Sequence, residues 1–333
     1  MPSPHDRFAI VVTTAAPFAD LSPDAVLDAI EYAGFRCDGR SLALNSYENR
    51  VYQAGLEDGD WVVAKFYRPG RWSDEAILEE HNFSITLQEH DIPVVAPLIC
   101  QDRTLNEHGG FRFAVFPRQG GHWPELGSVE DREMMGRCLG RMHAVGRTGQ
   151  FAHRPAIEID RLGYQSCSYL RDSDWIPMHI VDSYAAVTEQ LLAEVERVFD
   201  EVGDYNELRI HGDCHLGNTL WTDSGPHFVD LDDCLTGPAV QDLWMLLSGD
   251  ESEMKNQLDD ILEGYTRFCD FDLRETRLIE ALRALRMIHY TAWVARRWPD
   301  PAFPLAFPWL AENRYWEEHI LNLKEQLATV QGA

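Results

Sequence analysis

Residues 211–218 combine a His, an Asp and an Asn at a spacing that suits phosphoryl transfer. Asp213 lies two positions after His211, Asn218 lies five positions after Asp213, and a second acid, Asp230, lies downstream. Enzymes that transfer phosphoryl groups need one carboxylate to accept the proton of an attacking hydroxyl, and oxygen ligands for a metal ion. Asp213 suits the first task, and Asn218 with Asp230 suits the second.

The segment between Asn218 and Asp230 predicts a β-hairpin. Residues 219–221 and 227–229 are short β-prone runs that flank a turn over 222–226. Such a hairpin would fold Asp230 back beside Asn218. The alternative, a polar turn followed by Asn218 by chance, would account for a lone tripeptide. It does not account for a loop, a hairpin and an acid in this order.

The composition is globular but strongly acidic. Of 333 residues, 45% are hydrophobic and 25% charged, and 29 basic against 55 acidic side chains give a net charge of −26. Such a charge repels nucleic acid and anionic membranes, so neither is expected as a partner. No apolar run approaches the roughly 20 residues of a membrane span, and the N-terminus lacks the basic and apolar parts of a signal peptide. We therefore expect a cytoplasmic protein.

The cysteines and the nearby histidines do not indicate a metal cluster or a disulfide framework. Seven cysteines are scattered along the chain without any Cys-x-x-Cys pair, which is typical of reduced thiols. His211, Cys214 and His215 have no second ligand pair at a spacing typical of zinc sites. Cys214, beside the expected base, is interpreted as a small buried thiol rather than a redox group.

The first 117 residues predict a β-rich part with helices. Residues 22–33 carry the signals of a capped helix that starts at Ser22, and residues 74–89 also predict a helix. Between and after them, four β-prone runs predict strands at 41–44, 50–54, 61–67 and 111–116.

After Pro117 the pattern becomes helical. Ser128 with Asp131 resembles a helix-capping box, and residues 181–201 carry an apolar stripe at helical spacing. Further helices are predicted over 239–248, 252–268, 273–297 and 312–328. The sequence thus predicts an α+β protein with a short hinge at 116–118, which divides it into domains 1–117 and 118–333.

This order of elements resembles the two-lobed protein-kinase-like fold, with a β-rich N-lobe and a mostly helical C-lobe. More narrowly, the chain is similar to the aminoglycoside phosphotransferase and choline kinase group. The resemblance covers nearly the whole chain and is carried by the segments 44–52, 211–221, 228–233, 237–244 and 300–304.

The resemblance implies roles for particular residues. Asp213 would be the catalytic base, and Asn218 and Asp230 would bind Mg²⁺. Asp230 would thereby be a second catalytic residue. Lys65 would grip the α- and β-phosphates of ATP, positioned by an acid on the following helix. Glu80 fits the spacing of that acid.

The neighbouring Glu79 remains the alternative partner of Lys65. The phosphate-covering loop would be 45–49, with the Ser46 hydroxyl and backbone N–H groups around the phosphates. A simple polar hairpin turn is the alternative interpretation of this loop. Two departures from the eukaryotic kinase pattern are visible: this loop has no glycines, and no long activation segment follows Asp230.

The function that the resemblance implies is an ATP- and Mg²⁺-dependent serine/threonine protein kinase of a bacterial stress response. It would be a monomer that phosphorylates a protein substrate, and autophosphorylation would make the kinase one of its own substrates. Two alternatives stay open. One is a kinase of a small alcohol such as an aminoglycoside, choline or a sugar. The other is a pseudokinase without turnover, which would have no chemical need for Lys65, Asp213, Asn218 and Asp230 together.

Overall fold

The computed structural model describes residues 16–332. These residues form two compact units, one made of Asp20–Ile157 and Asp204–Thr276 and the other of residues 16–19, 158–203 and 277–332. Residues 1–15, in which the sequence indicated no signal peptide, lie outside the described part of the chain. The division into lobes at Pro117 stays a prediction.

The helices and strands follow one another along the whole described chain. The strands are β1 (Cys37–Leu44), β2 (Arg50–Leu56), β3 (Trp61–Phe66), β4 (Asn106–His108), β5 (Phe111–Pro117), β6 (Leu208–Ile210), β7 (Thr219–Thr222), β8 (Gly225–Phe228) and β9 (Leu235–Gly237). The α-helices are α1 (Pro23–Tyr32), α2 (Asp74–Glu89), α3 (Val129–Gly146), α4 (Gln165–Asp172), α5 (Val181–Val202), α6 (Val240–Trp244), α7 (Glu251–Tyr265), α8 (Ile279–Arg296), α9 (Ala302–Ala306) and α10 (Asn313–Gly332).

An antiparallel sheet of five strands confirms the β-rich first part. Its strand order is β1-β2-β3-β5-β4, so β3 is the central strand. Lys65 on β3 lies opposite Val51 of β2 and Ala114 of β5. Because side chains alternate along a strand, Lys65 points away from the face that carries the buried Ala64 and Phe66.

Helix α2 spans the predicted residues. Ser73 caps its N-terminus by accepting a hydrogen bond from the Ala76 N–H, and Asp74 and Glu75 lie in its first turn, where acids favour the helix dipole. Its buried residues include Ile77, Glu80, Ser84 and Leu87 at helical spacing, so Glu80 lies on the inner face of the helix.

Helices α3 and α7 of the same unit approach each other through glycines. A Cβ atom added to Gly136 would lie 1.9 Å from the Ile261 carbonyl oxygen, and one added to Gly140 would lie 2.4 Å from that of Tyr265. On the other helix, a Cβ at Gly264 would lie 2.0 Å from the Glu133 carbonyl oxygen. Two backbones in such contact leave no room for any side chain.

The other unit is helical in its described parts and is built around α5. The apolar stripe predicted there is buried and comprises Tyr184, Val187, Leu191, Val195 and Val198. The edge of the Trp316 ring from α10 packs on Tyr184. Within residues 16–332, no helix is both long enough and apolar enough to cross a membrane.

Four predicted helices differ in extent from the observed ones. Those expected over 252–268 and 312–328 extend over Glu251–Tyr265 and Asn313–Gly332. The helix expected over 239–248 ends at Trp244, because Leu246 and Leu247 donate to carbonyls three residues back and Gly249 then takes a φ of 97°. The helix expected over 273–297 begins as a tighter 3₁₀ turn over Leu273–Leu278 and becomes α-helical only at Ile279.

Candidate active site

Lys65 is buried and is surrounded by three carboxylates. Its Nζ atom lies 3.2 Å from Glu80 Oε1, 2.9 Å from Asp230 Oδ1 and 3.0 Å from Asp232 Oδ1. One lysine of the central strand β3 therefore joins helix α2 to the segment that follows the β7–β8 hairpin.

The structure pairs Lys65 with Glu80 and gives Glu79 another partner. Adjacent helical residues point about 100° apart, and the Glu79 carboxylate accepts hydrogen bonds from the backbone N–H groups of Ala152, His153 and Arg154. Glu79 therefore binds the backbone of residues 152–154 and does not pair with Lys65.

Burial and neighbouring charges determine the ionisation of this cluster. Burial would lower the pKa of Lys65, but Asp230, Asp232 and Glu80 outweigh it and raise that pKa well above its usual value. Burial raises the pKa of Glu80 to about 7, against the lowering effect of Lys65. Lys65 therefore stays charged, and of the two buried carboxylates Glu80 takes up a proton more easily than Asp232.

Asp232 is a buried member of the site that the sequence reasoning missed. Besides Lys65, its carboxylate contacts the Arg71 guanidinium and accepts a hydrogen bond from Asn49 Nδ2 at 3.1 Å. Although burial opposes ionisation, Arg71, Lys65 and Arg154 hold the pKa of Asp232 below its usual range. Its place in the segment 228–233, which carried the family resemblance, was the available signal.

The loop 45–49 is linked to this cluster through Asn49 rather than through Ser46. The Ser46 hydroxyl donates to the Asn49 carbonyl at 3.2 Å and so closes its own turn. Asn49 is buried, with its amide oxygen accepting from the Arg68 N–H at 3.0 Å and its amide nitrogen on Asp232. A phosphate-binding role for Ser46 stays a prediction.

Asp213 and Asn218 lie together on the loop between β6 and β7. The Asn218 amide nitrogen donates to the Asp213 carbonyl oxygen at 3.0 Å and approaches Asp213 Oδ2 at 3.3 Å. His215 Nε2 lies 3.4 Å from the same Oδ2 atom, while its Nδ1 accepts from the Gly217 N–H. Because the amide nitrogen of Asn218 faces Asp213, its amide oxygen is the atom suited to a cation.

The predicted hairpin is confirmed and brings the backbone of Asp230 toward Asn218. Strands β7 and β8 pair in antiparallel register, and the Val229 N–H donates to the Asn218 carbonyl at 3.0 Å. Asp230 then takes the left-handed conformation with φ 59° and ψ 62°, which is uncommon for a residue with a side chain. A 3₁₀ turn over Leu231–Asp233 follows.

Asp242, another residue without a role in the sequence reasoning, holds the loop that carries Asp213. Its carboxylate accepts from the His211 and Gly212 N–H groups, both at 2.8 Å, and contacts His143 Nε2 at 3.0 Å. Gly212 has a φ of 82°, and an added Cβ would lie 2.3 Å from the Asp233 carbonyl oxygen. The glycine of this motif is therefore required by the close approach of the two segments.

The oxygens of Asn218 and Asp230 fit a Mg²⁺ ion that also binds phosphates. In residues 16–332, no group of three or more His, Cys, Asp or Glu side chains is arranged to hold a metal ion. Mg²⁺ does not need such a group, since it is usually bound by one or two carboxylates together with substrate phosphates and water. The Asp230 side chain is 50% exposed and can meet such an ion.

Cys214, next to the expected base, is fully buried. Burial raises the pKa of its thiol well above the usual value, and the nearby Asp242 and Asp213 raise it further. This agrees with its interpretation as a packing residue.

Comparisons with known proteins identify relatives of the whole chain. Residues 41–279 match the phosphotransferase enzyme family. Stress response kinase A of Escherichia coli strain K12 is 46% identical over 318 residues, which are 96% of each chain. A Salmonella typhimurium protein named serine/threonine protein kinase RdoA is 44% identical over 312 residues, 94% of each chain.

Solved structures show the same fold at low sequence identity. Amicoumacin kinase hAmiN, in complex with AMP-PNP, Ca²⁺ and Ami, has a TM-score of 0.69 at 17% identity, with 90% of this chain and 94% of that chain covered. Spectinomycin phosphotransferase APH(9)-Ia has a TM-score of 0.67 at 12% identity, with 93% and 98% covered. The α+β, two-lobed kinase-like fold expected from the sequence is thereby confirmed. The chain belongs to the phosphotransferase enzyme family and, within it, is a kinase of the group named stress response kinase A.

Proposed function

We propose that the chain transfers the γ-phosphate of ATP, with Mg²⁺, to serine and threonine hydroxyls of proteins in a bacterial stress response. The observation that carries this proposal is the contact of Lys65 with both Glu80 and Asp230. This contact brings strand β3, helix α2 and the segment expected to bind the metal together around the Lys65 ammonium group. The protein acceptor is supported by the name of the RdoA relative.

Each residue of the site has its own task in this transfer. Asp213 accepts the proton of the acceptor hydroxyl, and Asn218 keeps the Asp213 carboxylate in place through the 3.3 Å contact. Lys65 binds the phosphates, with Glu80 fixing its position. Mg²⁺, held by Asn218 and Asp230, would neutralise charge on the β- and γ-phosphates.

One structural neighbour supports the use of a nucleotide and a divalent ion, since amicoumacin kinase hAmiN is in complex with AMP-PNP and Ca²⁺. The choice of Mg²⁺ rests on the oxygen ligands of Asn218 and Asp230. We also propose that the protein works in the cytoplasm as a monomer, with its lobes meeting near Pro117.

A kinase of small alcohols is the second candidate. The neighbours that act on amicoumacin and spectinomycin are small-molecule kinases by name. The net charge of −26 would attract a cationic acceptor of this kind and would not favour an acidic one.

Incubation of the purified chain with isotopically labelled ATP and Mg²⁺ separates the candidates. The chain is mixed either with bacterial proteins freed of small molecules or with a panel of amino alcohols, and Asp213→Asn serves as the inactive control. We expect label on serine or threonine of protein, the chain itself included. Label on amino alcohols alone would establish the second candidate, and no label in either mixture would indicate a pseudokinase.

A further inference from the structure

Helix α2 presents two neighbouring acids to two different parts of the site. Glu80 holds Lys65, as described above. Glu79 accepts three backbone hydrogen bonds, from Ala152 at 2.7 Å, His153 at 2.8 Å and Arg154 at 2.9 Å. Hydrogen bonds to an ionised carboxylate are stronger than neutral ones, so residues 152–154 are firmly attached to α2.

The Arg154 side chain extends from this attached backbone into the site. Its side chain is fully buried, and its guanidinium lies 4.6 Å from the ring centroid of Trp72. Nη2 donates to the carbonyl oxygens of Leu231 at 3.2 Å and Asp232 at 2.6 Å, and Nε lies 3.3 Å from Cys234 Sγ. Arg154 therefore binds the backbone directly after Asp230.

That backbone needs support from its surroundings. Asp230 holds a left-handed conformation that a non-glycine residue keeps only where neighbouring contacts impose it. The Asp230 and Asp232 carboxylates must nevertheless point to Lys65 and to the expected metal site. The two carbonyl groups bound by Arg154 belong to the turn that sets both directions.

We propose that Arg154 is a positioning residue for the segment 230–234, which we call the acid turn. Glu79 holds the backbone of Arg154, and the Arg154 side chain holds the acid turn. The helix that positions Lys65 therefore also positions Asp230. The inference rests on the proposed function, because it assigns Arg154 a role at the same nucleotide and metal site. An arginine suits this role, since its planar fork can donate to several acceptors at once.

The alternative is that Arg154 only fills the core, in which case its loss would loosen the whole unit evenly. Cys234 and Cys269 distinguish these two roles. Both thiols are buried in the same unit, but only Cys234 contacts Arg154. The rate of alkylation of each thiol, measured by peptide mass spectrometry without nucleotide, reports local opening at each place.

The experiment compares Arg154→Met and Arg154→Lys with a matched control, Arg132→Met. Arg132 has a similar set of acceptors, Asp260 and the Leu126 and Gly127 carbonyl oxygens, at another place in the same unit. In Arg154→Met we expect alkylation of Cys234 to accelerate about tenfold or more while Cys269 is unchanged, since only the acid turn opens locally. Arg154→Lys should give an intermediate rate, and Arg132→Met should leave Cys234 as in the parent.

A second readout is the Mg²⁺ concentration needed for half-maximal ATP binding, measured by calorimetry. Residues that orient metal ligands typically contribute roughly 10- to 100-fold to metal affinity, so Arg154→Met should raise this concentration by a factor in that range. Glu79→Gln should change both readouts in the same direction and less. This variant keeps every buried side chain of the site and carries the test if Arg154→Met does not fold.

Several results would overturn the proposal. Equal acceleration at Cys234 and Cys269 in Arg154→Met would mean general loosening, and parental values of both readouts in that variant or in Glu79→Gln would remove the positioning role. Alkylation is measured without nucleotide, so it judges the acid turn even if the parent protein transfers no phosphate. Failure of the proposed function would instead appear as absent phosphotransfer with the alkylation pattern intact.

Discussion

At the scale of single residues, Lys65 and Glu80 form the contact with the most consequence for activity. Both side chains are buried, and their atoms lie 3.2 Å apart. If Glu80 acts only by placing Lys65, removal of either residue removes the same function. Their effects on catalysis should then overlap instead of adding.

We predict that Lys65→Met reduces kcat/KM for ATP severely and that Glu80→Gln reduces it less. The double variant should be little worse than Lys65→Met, with a coupling of about 1–3 kcal/mol in the kinetic cycle. Steady-state kinetics with ATP as the varied substrate measure it. Additive effects of the two changes would contradict the assigned pairing, and Glu89→Ala provides the comparison with an exposed acid at the end of the same helix.

We predict that Asp213→Asn keeps the fold and ATP binding but loses most turnover. The change preserves size and removes the proton acceptor, and loss of a positioned general base typically costs roughly 10²- to 10⁴-fold in rate. Turnover and ATP binding, measured on the same preparation, test it. An unchanged kcat would show that Asp213 is not the base.

The sequence could indicate Lys65, Asp213, Asn218 and Asp230 because each lies in a local motif. Asp232 and Arg154 were not predicted as site residues, although Asp232 lies in such a motif. Their contacts join positions about 80 to 170 residues apart, such as Arg154 with Cys234 and Lys65 with Asp232. The spacing of residues within one motif does not indicate which distant residues that motif will contact. Glu80 was preferred to Glu79 as the partner of Lys65 from its spacing, and the orientation of α2 decides between these neighbours.

At the scale of elements, the close contact of α3 and α7 depends on glycine. We predict that Gly140→Ala destabilises its unit by about 1–3 kcal/mol or more, since the new methyl group would meet backbone that cannot rotate away. Denaturant unfolding measures the change. Gly332→Ala is the matched control, because a Cβ at that helical position meets no atom within 4 Å. Equal stability of the two variants would contradict the prediction.

Elements were predictable where capping and periodicity agree. Helix α2 has the predicted bounds, and Ser22 and Ser128 both cap helices as expected. Strands β4, β6 and β9 have only three residues each and were missed. Such short runs exist because a neighbouring strand supplies their hydrogen bonds, which the local sequence does not reveal.

At the scale of the whole molecule, buried neutral histidines make stability depend on pH. Burial lowers the pKa of His319 to about 4, and burial together with Lys65 and Arg154 lowers that of His81 to about 3. Below pH 6.5 the unfolded chain binds protons at these histidines and the folded chain does not. The contribution of these histidines to the free energy of unfolding is therefore complete above pH 6.5 and is lost as the pH falls toward 4.

We predict that the stability difference between pH 7 and pH 4.5 is smaller in His319→Gln than in the parent. One histidine contributes a slope of about 1.4 kcal/mol for each pH unit in this range. Urea unfolding at the two pH values measures it, and the difference between proteins cancels the contribution of other groups. An identical pH dependence of His319→Gln and the parent would refute the assignment.

The burial of the thiols has a consequence for the conditions in which this kinase can work. Peroxides attack the thiolate, and a raised pKa keeps a cysteine in its unreactive protonated form at neutral pH. The pKa is raised at six cysteines, namely Cys37, Cys100, Cys138, Cys167, Cys214 and Cys234. Even the thiol beside the expected catalytic base is held in its protonated form, so we expect phosphate transfer to tolerate oxidants that inactivate enzymes with a reactive cysteine.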